Sequence, residues 1–169
     1  MLIFGALAII AGCGSLGLWL ARRIRCRPQE LRACATALAL LDTEIFWGAT
    51  PLPEAFKTLA ERTDEPWRSF FSELHKRLSE GEAAGSAWNE VAHKQAECFS
   101  LKEEDWMVIR DVGKGLGRSD RHEQHKQLEI IQRQLAGLRE QTLIWAEKQA
   151  KMWSYMGFLI GIAGVIFLI

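Results

Sequence analysis

The residues of this chain that could take part in chemistry are few, and two histidines come first. His122 and His125 are one helical turn apart, with Asp120 and Glu123 nearby. This spacing would let two side chains approach one metal ion, but metal sites in proteins use three or four ligands. We therefore expect no metal here, and we interpret the segment as the exposed, charged first turn of a helix.

The cysteines and the glycines do not indicate a cofactor or an enzyme either. Cys13, Cys26, Cys34 and Cys98 contain no Cys-x-x-Cys pair, so free, partly buried thiols are expected. No glycine-rich phosphate loop ends in Lys followed by Ser or Thr, so the chain is not itself an ATPase. The acids at 103–105 fit the first turn of a helix, where they favour the helix dipole. The sequence predicts no catalytic residue and no cofactor.

Two uncharged segments, one at each end of the chain, define how the chain is organised. Residues 2–21 and 152–169 contain no charged side chain, and all 21 basic and 21 acidic residues lie between Arg22 and Lys151. Runs of this length are sufficient to span a bilayer as a helix. We therefore predict an N-terminal transmembrane helix over 1–21 and a C-terminal one over 152–169, with a single domain over 22–151 between them.

Positive charge predicts the orientation of these helices. Four arginines follow the first run at 22–27, and Lys148 and Lys151 precede the second. Positive residues flanking membrane helices stay on the cytoplasmic side. The middle domain is therefore expected in the cytoplasm, with both termini across the membrane. Trp145 suits either the membrane interface or a buried helical seam.

The N-terminal run also allows a second interpretation. The tetrad Ile10-Ala11-Gly12-Cys13 resembles a lipoprotein cleavage box, and lipidation there would place the domain outside. However, the apolar run continues past Cys13 to Ala21, and no positive residue precedes it as in a signal peptide. An uncleaved anchor is the favoured interpretation.

The middle domain has helical periodicity throughout. Apolar residues recur in steps of three and four along five segments, and no strand-like alternation of useful length occurs. These positions are Leu31, Cys34, Leu38, Leu41 and Ile45, then Leu52, Ala55, Phe56 and Leu59, then Trp67, Phe70, Phe71, Leu74 and Leu78, then Ala87, Trp88, Val91 and Ala92, then Trp106, Ile109, Val112 and Leu116. Short connections predict an all-α bundle of about six helices with antiparallel neighbours.

The sixth helix is expected to be long. Ser119 and Asp120 offer a cap for it, and no helix breaker precedes Gly137. Its seam is predicted at Leu128, Ile131, Leu135, Leu138, Thr142, Trp145, Gln149 and Met152. The helix should continue directly into the C-terminal span.

Other helix starts are predicted from capping residues. Thr50 offers an N-cap before Pro51, and Ser100 with Glu103 forms a capping-box pattern. Pro66 is expected to open the third helix and Gly81 to close it.

Small residues recur in both uncharged runs. Gly157, Gly161 and Gly164 fall on one side of the C-terminal run, and Gly12 and Gly17 lie in the N-terminal one. Small residues let membrane helices approach closely, although glycine is also common in such helices. The two runs could pack on each other or on a partner.

Several segments together carry a resemblance to a known family. They are Leu20-Ala21-Arg22-Arg23, Leu41-Asp42-Thr43-Glu44-Ile45, Gly48-Ala49-Thr50-Pro51-Leu52-Pro53-Glu54-Ala55 and Leu116-Gly117-Arg118-Ser119-Asp120-Arg121. With the two apolar ends, this layout resembles the stage III sporulation protein AB family over nearly the whole chain. More distantly, the helical domain is similar to the cytoplasmic domains of type II secretion and type IV pilus platform proteins.

The resemblance implies a role in sporulation without catalysis. It implies a platform in the mother-cell membrane that works beside a cytoplasmic secretion-type ATPase and the other membrane channel subunits. Its partners would be those proteins and the lipid bilayer but no nucleic acid, and a second copy of the chain is left open as a further partner. The alternative is a membrane-anchored sensor, a lipoprotein or an enzyme with an unrecognised site. Because the apolar stripes hold almost no ionisable residue, the platform is favoured.

The turn after the fifth helix is the best candidate for a partner-binding surface. It combines three glycines with Lys114, Arg118, Asp120 and Arg121, whose charges can reach a partner. An ordinary helix end and cap would use the same residue types. The corner made by Thr50, Pro51, Leu52 and Pro53 is the second candidate.

Overall fold

The computed structural model of the chain describes residues 26–117 and 121–168; beyond Met152 the description is of the backbone alone. In this part of the chain the fold is all-α, with six helices, one 3₁₀ turn and no strand. The helices are α1 over 26–46, α2 over Leu52–Arg62, α3 over Trp67–Ser79, α4 over Ala84–Gln95, α5 over Glu103–Gly115 and α6 over Arg121–Leu168, with the 3₁₀ turn at Ala96–Cys98.

The chain divides into two compact units. One consists of Met1–Pro28 with Gln141–Ile169, and the other is Gln29–Glu140. The second unit holds most of α1, all of α2–α5 and the first part of α6. We call it the bundle.

The predicted apolar stripes form the core of the bundle. Every stripe residue from α1, α3, α4 and α5 is buried, and Ala55, Phe56 and Leu59 are buried on α2. Aromatic rings fill the centre: Trp67 lies 4.6 Å from Phe99 between ring centroids, and Phe70 lies 5.1 Å from Trp88. The interpretation of these tryptophans as core residues is therefore confirmed.

Buried indole groups also join helices by hydrogen bonds. Trp88 Nε1 donates to the carbonyl oxygen of Ile109 at 2.8 Å, which links α4 to α5. Trp67 Nε1 donates to the carbonyl oxygen of Glu30 at 2.9 Å, which links α3 to α1. A buried indole N–H without such a partner would cost the free energy of an unmade hydrogen bond.

Two predicted caps are wrong. Thr50 does not cap α2, whose N-cap position is Pro51 without a side-chain bond. The predicted Ser100–Glu103 box does not form; instead the α5 N-cap is Lys102, whose N–H donates to Asp105 Oδ2 at 2.9 Å. Asp105 competes successfully because it stands three residues after the N-cap, the position from which an acidic side chain reaches back to the N-cap N–H. The expected boundaries of α3 at Pro66 and Gly81 are confirmed, and Gly81 has a φ of 91°.

The α6 seam departs from its prediction in its second half. Leu128, Ile131, Leu135 and Thr142 are buried as expected, but the next buried residue is Ala146, which is not on the predicted seam. Trp145 and Met152, which the 3-4 alternation placed on the seam, are about half exposed. An ideal helix turns every 3.6 residues, so a strict heptad pattern drifts off the buried side unless the helix supercoils.

α6 continues as one helix through the uncharged run and ends at Leu168, as the sequence predicts for its length. Among the described residues, no helix combines the length and the apolarity needed to cross a bilayer. The predicted span over 1–21, with Gly12, Gly17 and Cys13, lies outside the described residues. The surroundings of Gly157, Gly161 and Gly164 also lie outside them.

Candidate partner-binding surface

The corner between α1 and α2 is built by the last turn of α1. The N–H groups of Trp47 and Gly48 both donate to the carbonyl oxygen of Thr43, at 3.0 and 3.1 Å. The Thr50 N–H donates to the carbonyl oxygen of Glu44 at 2.9 Å, and Thr50 Oγ1 donates to Glu44 Oε2 at 2.8 Å. These bonds satisfy carbonyl groups that a helix end otherwise leaves open. The corner is therefore a defined turn rather than a loose connection.

The backbone of this corner tolerates few side chains. A Cβ at Gly48 would lie 2.9 Å from the Glu44 carbonyl oxygen, closer than real Cβ atoms approach. Ala49 has a φ of 51°, in the left-handed region that non-glycine residues seldom adopt. The same turn leaves Trp47 79% exposed. A rigid corner thus presents a large aromatic side chain to solvent.

The two predicted partner-binding segments lie next to each other. Gly117, just after α5, has a φ of 73°. A Cβ at this position would be 3.6 Å from Leu52 Cδ1 and 3.6 Å from the Cβ of Ala84. The C-terminal end of α5 therefore meets the first residues of α2 and α4. The sequence predicted each segment separately but not their contact.

Close packing behind this surface depends on two further glycines. A Cβ at Gly85 would lie 2.6 Å from the carbonyl oxygen of Gly113. Because that oxygen belongs to the main chain, no side-chain rearrangement could make room. α4 and α5 thus cross with main chain against main chain, one turn behind the contact at Gly117.

The charged residues of the α5–α6 turn are only partly described. Lys114 Nζ forms an ion pair with Asp111 Oδ1 at 2.6 Å and is largely exposed. Arg118, Ser119 and Asp120, and the side chain of Arg121, lie outside the described residues. Their roles in partner binding and in capping α6 stay predictions.

The interpretation of the histidine pair as a merely exposed turn needs correction. His122 is exposed, but His125 is partly buried and its Nδ1 donates to Asp42, 2.8 Å from both carboxylate oxygens. The His125 ring stacks on Phe46 at 4.5 Å between centroids, and His122 meets the edge of the same ring at 5.2 Å. This contact joins the end of α1 to the start of α6. Within the described ranges, no group of three or more potential metal ligands occurs.

Two acids, the partly buried Glu30 and the fully buried Asp105, lie near the other end of α1. Glu30 Oε2 accepts a hydrogen bond from the Ser100 N–H at 2.8 Å, and Asp105 is fully buried. Burial raises the pKa of Glu30, and the nearby charge of Asp105 adds to the increase. Burial likewise raises the pKa of the Cys34 thiol, with a smaller contribution from Asp105. Cys34 is therefore a protonated, inert core residue at neutral pH, as expected from its position on the α1 stripe.

Comparison with known proteins identifies the relatives of this chain. The model of the stage III sporulation protein AB family matches residues 2–169. The chain belongs to this family. Stage III sporulation protein AB of Bacillus subtilis (strain 168) is 29% identical over 167 residues, which cover 98% of each chain. A solved structure of stage III sporulation protein AB (SpoIIIAB) is similar with a TM-score of 0.68 and 29% identity, over 76% of this chain and 98% of that one.

Three of the four segments that resemble the stage III sporulation protein AB family meet in the folded bundle, and the fourth, residues 20–23, lies outside the described residues. Residues 41–45 supply Asp42 and Glu44, and Glu44 holds Thr50 in the corner. Residues 48–55 supply Leu52, which lies against Gly117 from residues 116–121. Residues 41–55 therefore meet Gly117, far along the chain, at one place, which we call the corner surface and which includes the exposed Trp47. Sequence reasoning found all three stretches but missed Asp42 as the partner of His125.

Proposed function

We propose that this protein is a non-catalytic platform of a secretion-like complex that operates during sporulation. In this proposal the bundle is cytoplasmic and both uncharged ends anchor the chain in the mother-cell membrane around the forespore. The bundle engages a cytoplasmic secretion-type ATPase, and the membrane segments contact the other channel subunits. The family name supports the sporulation role, and it names no reaction.

The corner surface carries this proposal. Three of the four segments that carry the family resemblance contribute to it, and the packing of Leu52 beside Gly117 joins residues 48–55 to a stretch far along the chain. It combines a rigid turn, an exposed tryptophan and a glycine-lined contact between three helix ends. Exposed aromatic residues and arginines are the residue types enriched where proteins bind each other. We place the ATPase contact here, with Arg118 and Arg121 as its charged groups.

The charge distribution supports membrane attachment. Every charged side chain lies between Arg22 and Lys151, and clusters of positive residues flank both uncharged runs on the side of the bundle. The two small-residue groups, at Gly12 and Gly17 and at Gly157, Gly161 and Gly164, would allow close contact with helices of other subunits. A second copy of the chain is a possible partner in the same membrane complex.

The proposal is tested by separating folding from partner binding. Arg118→Ala together with Arg121→Ala should leave the helical content and melting temperature unchanged, because isolated surface substitutions have small effects on stability. The double variant should recover less ATPase in a pull-down from sporulating cells and should give fewer heat-resistant spores. A matched control changes Lys126 and Arg133, which are exposed on α6, and should behave as wild type.

Two results would contradict this assignment. Normal sporulation and normal ATPase recovery by the Arg118/Arg121 variant would remove these residues from the interface. Recovery of the chain in the soluble fraction of lysed cells would instead reject membrane attachment and with it the platform role.

A further inference from the structure

The segment of α6 over 141–152 has two different sides. Thr142 and Ala146 are buried, with 5% and 2% of their surfaces exposed, whereas Ile144 is 66% and Trp145 50% exposed. Four residues make slightly more than one helical turn, so Thr142 and Ala146 share a side and Ile144 and Lys148 share the other. This second side also includes Met152, which is 46% exposed. We call it the outer side of α6, defined by Ile144, Trp145, Lys148 and Met152.

The outer side is apolar and basic. Lys148 is exposed and lies one turn after Ile144 and Trp145. Viewed down the helix axis, Ile144, Lys148 and Met152 form one arc, and the acidic positions 140 and 147 lie beside this arc and not within it. Lys151, the last charged residue of the chain, comes three positions after Lys148. The combination of large apolar side chains, tryptophan and lysine is typical of helices that lie in the interface of an anionic membrane.

We infer that the outer side of α6 is a lipid-binding surface that contacts anionic headgroups ahead of the uncharged run. This inference rests on the membrane attachment proposed above and adds where on α6 the interface begins. The indole of Trp145 suits the headgroup level, and Lys148 is placed to pair with phosphate groups. The interface would then begin about two helical turns before the uncharged run at Met152.

Lipid is favoured over a second copy of the chain by the position of Lys148. It lies in the middle of the outer side, between Ile144 and Met152. Two parallel copies of α6 packed through this side would place Lys148 opposite Lys148, and such like-charge contacts are destabilising. Anionic lipid supplies the opposite charge along the whole side.

The test uses the full chain reconstituted in vesicles whose phosphatidylcholine carries bromine on its acyl chains, with and without phosphatidylglycerol. Bromine quenches indole fluorescence on contact, so the emission lost in Trp145→Phe reports on Trp145 alone. Trp145→Phe should remove a bromine-quenched component, and this component should be larger with phosphatidylglycerol present. Trp47→Phe is the matched control, since Trp47 is also exposed but lies on the corner surface. Trp47→Phe should instead remove a component of the emission that acrylamide, a quencher dissolved in the water, reduces.

The role of the charge is tested separately. Lys148→Gln should abolish the difference in bromine quenching of Trp145 between vesicles with and without phosphatidylglycerol. Lys148→Arg should restore this difference. Lys126→Gln, which removes an exposed lysine from the part of α6 in the bundle, should leave this difference unchanged.

Several results distinguish failure of this inference from failure of the proposed function. If the chain floats with the vesicles but Trp145 is quenched by acrylamide and not by bromine, membrane attachment holds and the lipid-binding surface is rejected. If neither quencher reaches Trp145, protein covers the outer side, and the inference is also rejected. If the chain does not float with vesicles at all, the proposed attachment itself fails.

Discussion

Glu44 holds Thr50 by two hydrogen bonds, one from the Thr50 hydroxyl to the carboxylate and one from the Thr50 N–H to the Glu44 carbonyl oxygen. Their lengths are 2.8 and 2.9 Å. The pair closes the corner that carries Trp47 and leads into Pro51. Thr50, which the sequence suggested as a helix cap, thus fixes the end of the preceding helix instead.

The first prediction concerns this pair. Thr50→Val keeps the shape and the N–H bond but removes the hydroxyl, so the unfolding free energy should fall by about 1 kcal/mol, the usual net value of one hydrogen bond. Urea unfolding followed by circular dichroism measures this change. Thr58→Val is the control, because the Thr58 hydroxyl only bonds its own helix at an exposed position. Equal effects of the two substitutions would show that the bond to Glu44 is not important for stability.

The second prediction compares two glycines. Gly85→Ala should lower the unfolding free energy by about 1–3 kcal/mol, since its methyl group would clash with the carbonyl oxygen of Gly113 at 2.6 Å. Gly137→Ala should raise it by about 0.5–1 kcal/mol, because Gly137 lies within α6 with no atom near its added Cβ. The same urea titration measures both. A stabilising Gly85→Ala would contradict the close crossing of α4 and α5.

The third prediction concerns pH. Burial raises the pKa of Glu30 above its usual 4.5, so the folded chain holds this proton to higher pH than the unfolded chain does. The contribution of Glu30 to stability is therefore present below pH 4.5 and is lost as the pH rises through its folded pKa.

Replacing Glu30 isolates this effect. Glu30→Gln keeps an oxygen that can accept from the Ser100 N–H but removes the titration and the repulsion from Asp105. The variant should gain stability relative to wild type as the pH rises from 4.5 towards neutrality. Urea midpoints across this range measure the difference, and Glu61→Gln on the exposed side of α2 serves as control. A difference between Glu30→Gln and wild type that does not change with pH would contradict the burial of the charge.

The fourth prediction concerns Arg77 on α3. Its Nε lies 2.8 Å from Glu73 and its Nη1 lies 3.3 Å from Glu82, and Nη1 also contacts Glu90 on α4. Hydrogen bonds to Glu73 and then Glu90 raise the pKa of Arg77 further above its ordinary value. Arg77→Ala leaves three carboxylates close together without their shared cation, so the melting temperature should fall. Salt should reduce the difference from wild type by screening the repulsion.

A single exposed pair provides the control for this prediction. Arg133→Ala removes the partner of Glu129 on α6, where both side chains are at least half exposed. Exposed pairs contribute little to stability, so its melting temperature should match that of wild type. Equal effects of Arg77→Ala and Arg133→Ala on the melting temperature would show that the contacts of Arg77 with three glutamates add nothing to stability.

The helices of the bundle could be predicted because their determinants are local. Positions such as Leu38, Phe71 and Trp88 repeat with the helical period, and a buried side of a helix requires such a repeat. Gly81 marked the end of α3 correctly, since its positive φ is a property of glycine itself. These features depend on neighbours within one or two turns.

The errors arose where several residues compete or where partners are distant in sequence. Ser100 and Asp105 both suit the start of α5, and only the folded chain shows that the Ser100 N–H is used by Glu30. The bond from His125 to Asp42 spans 83 positions, and no periodic pattern indicates it. Trp145 fitted a seam by spacing but lies beside the buried side of α6 and is half exposed, because the helix keeps its own period.

The crossing of Gly85 and Gly113 has a mechanical consequence for how load passes through the bundle. Side chains between helices can change rotamer and absorb a small displacement, whereas two main chains in direct contact cannot. A push on the first turn of α4 would therefore reach α5 directly, since no side chain lies between Gly85 and Gly113 to absorb it. The corner surface begins one turn after Gly113, at Gly117, which also lies beside Ala84, the residue before Gly85. Any partner that pulls on this surface would move α4 and α5 together.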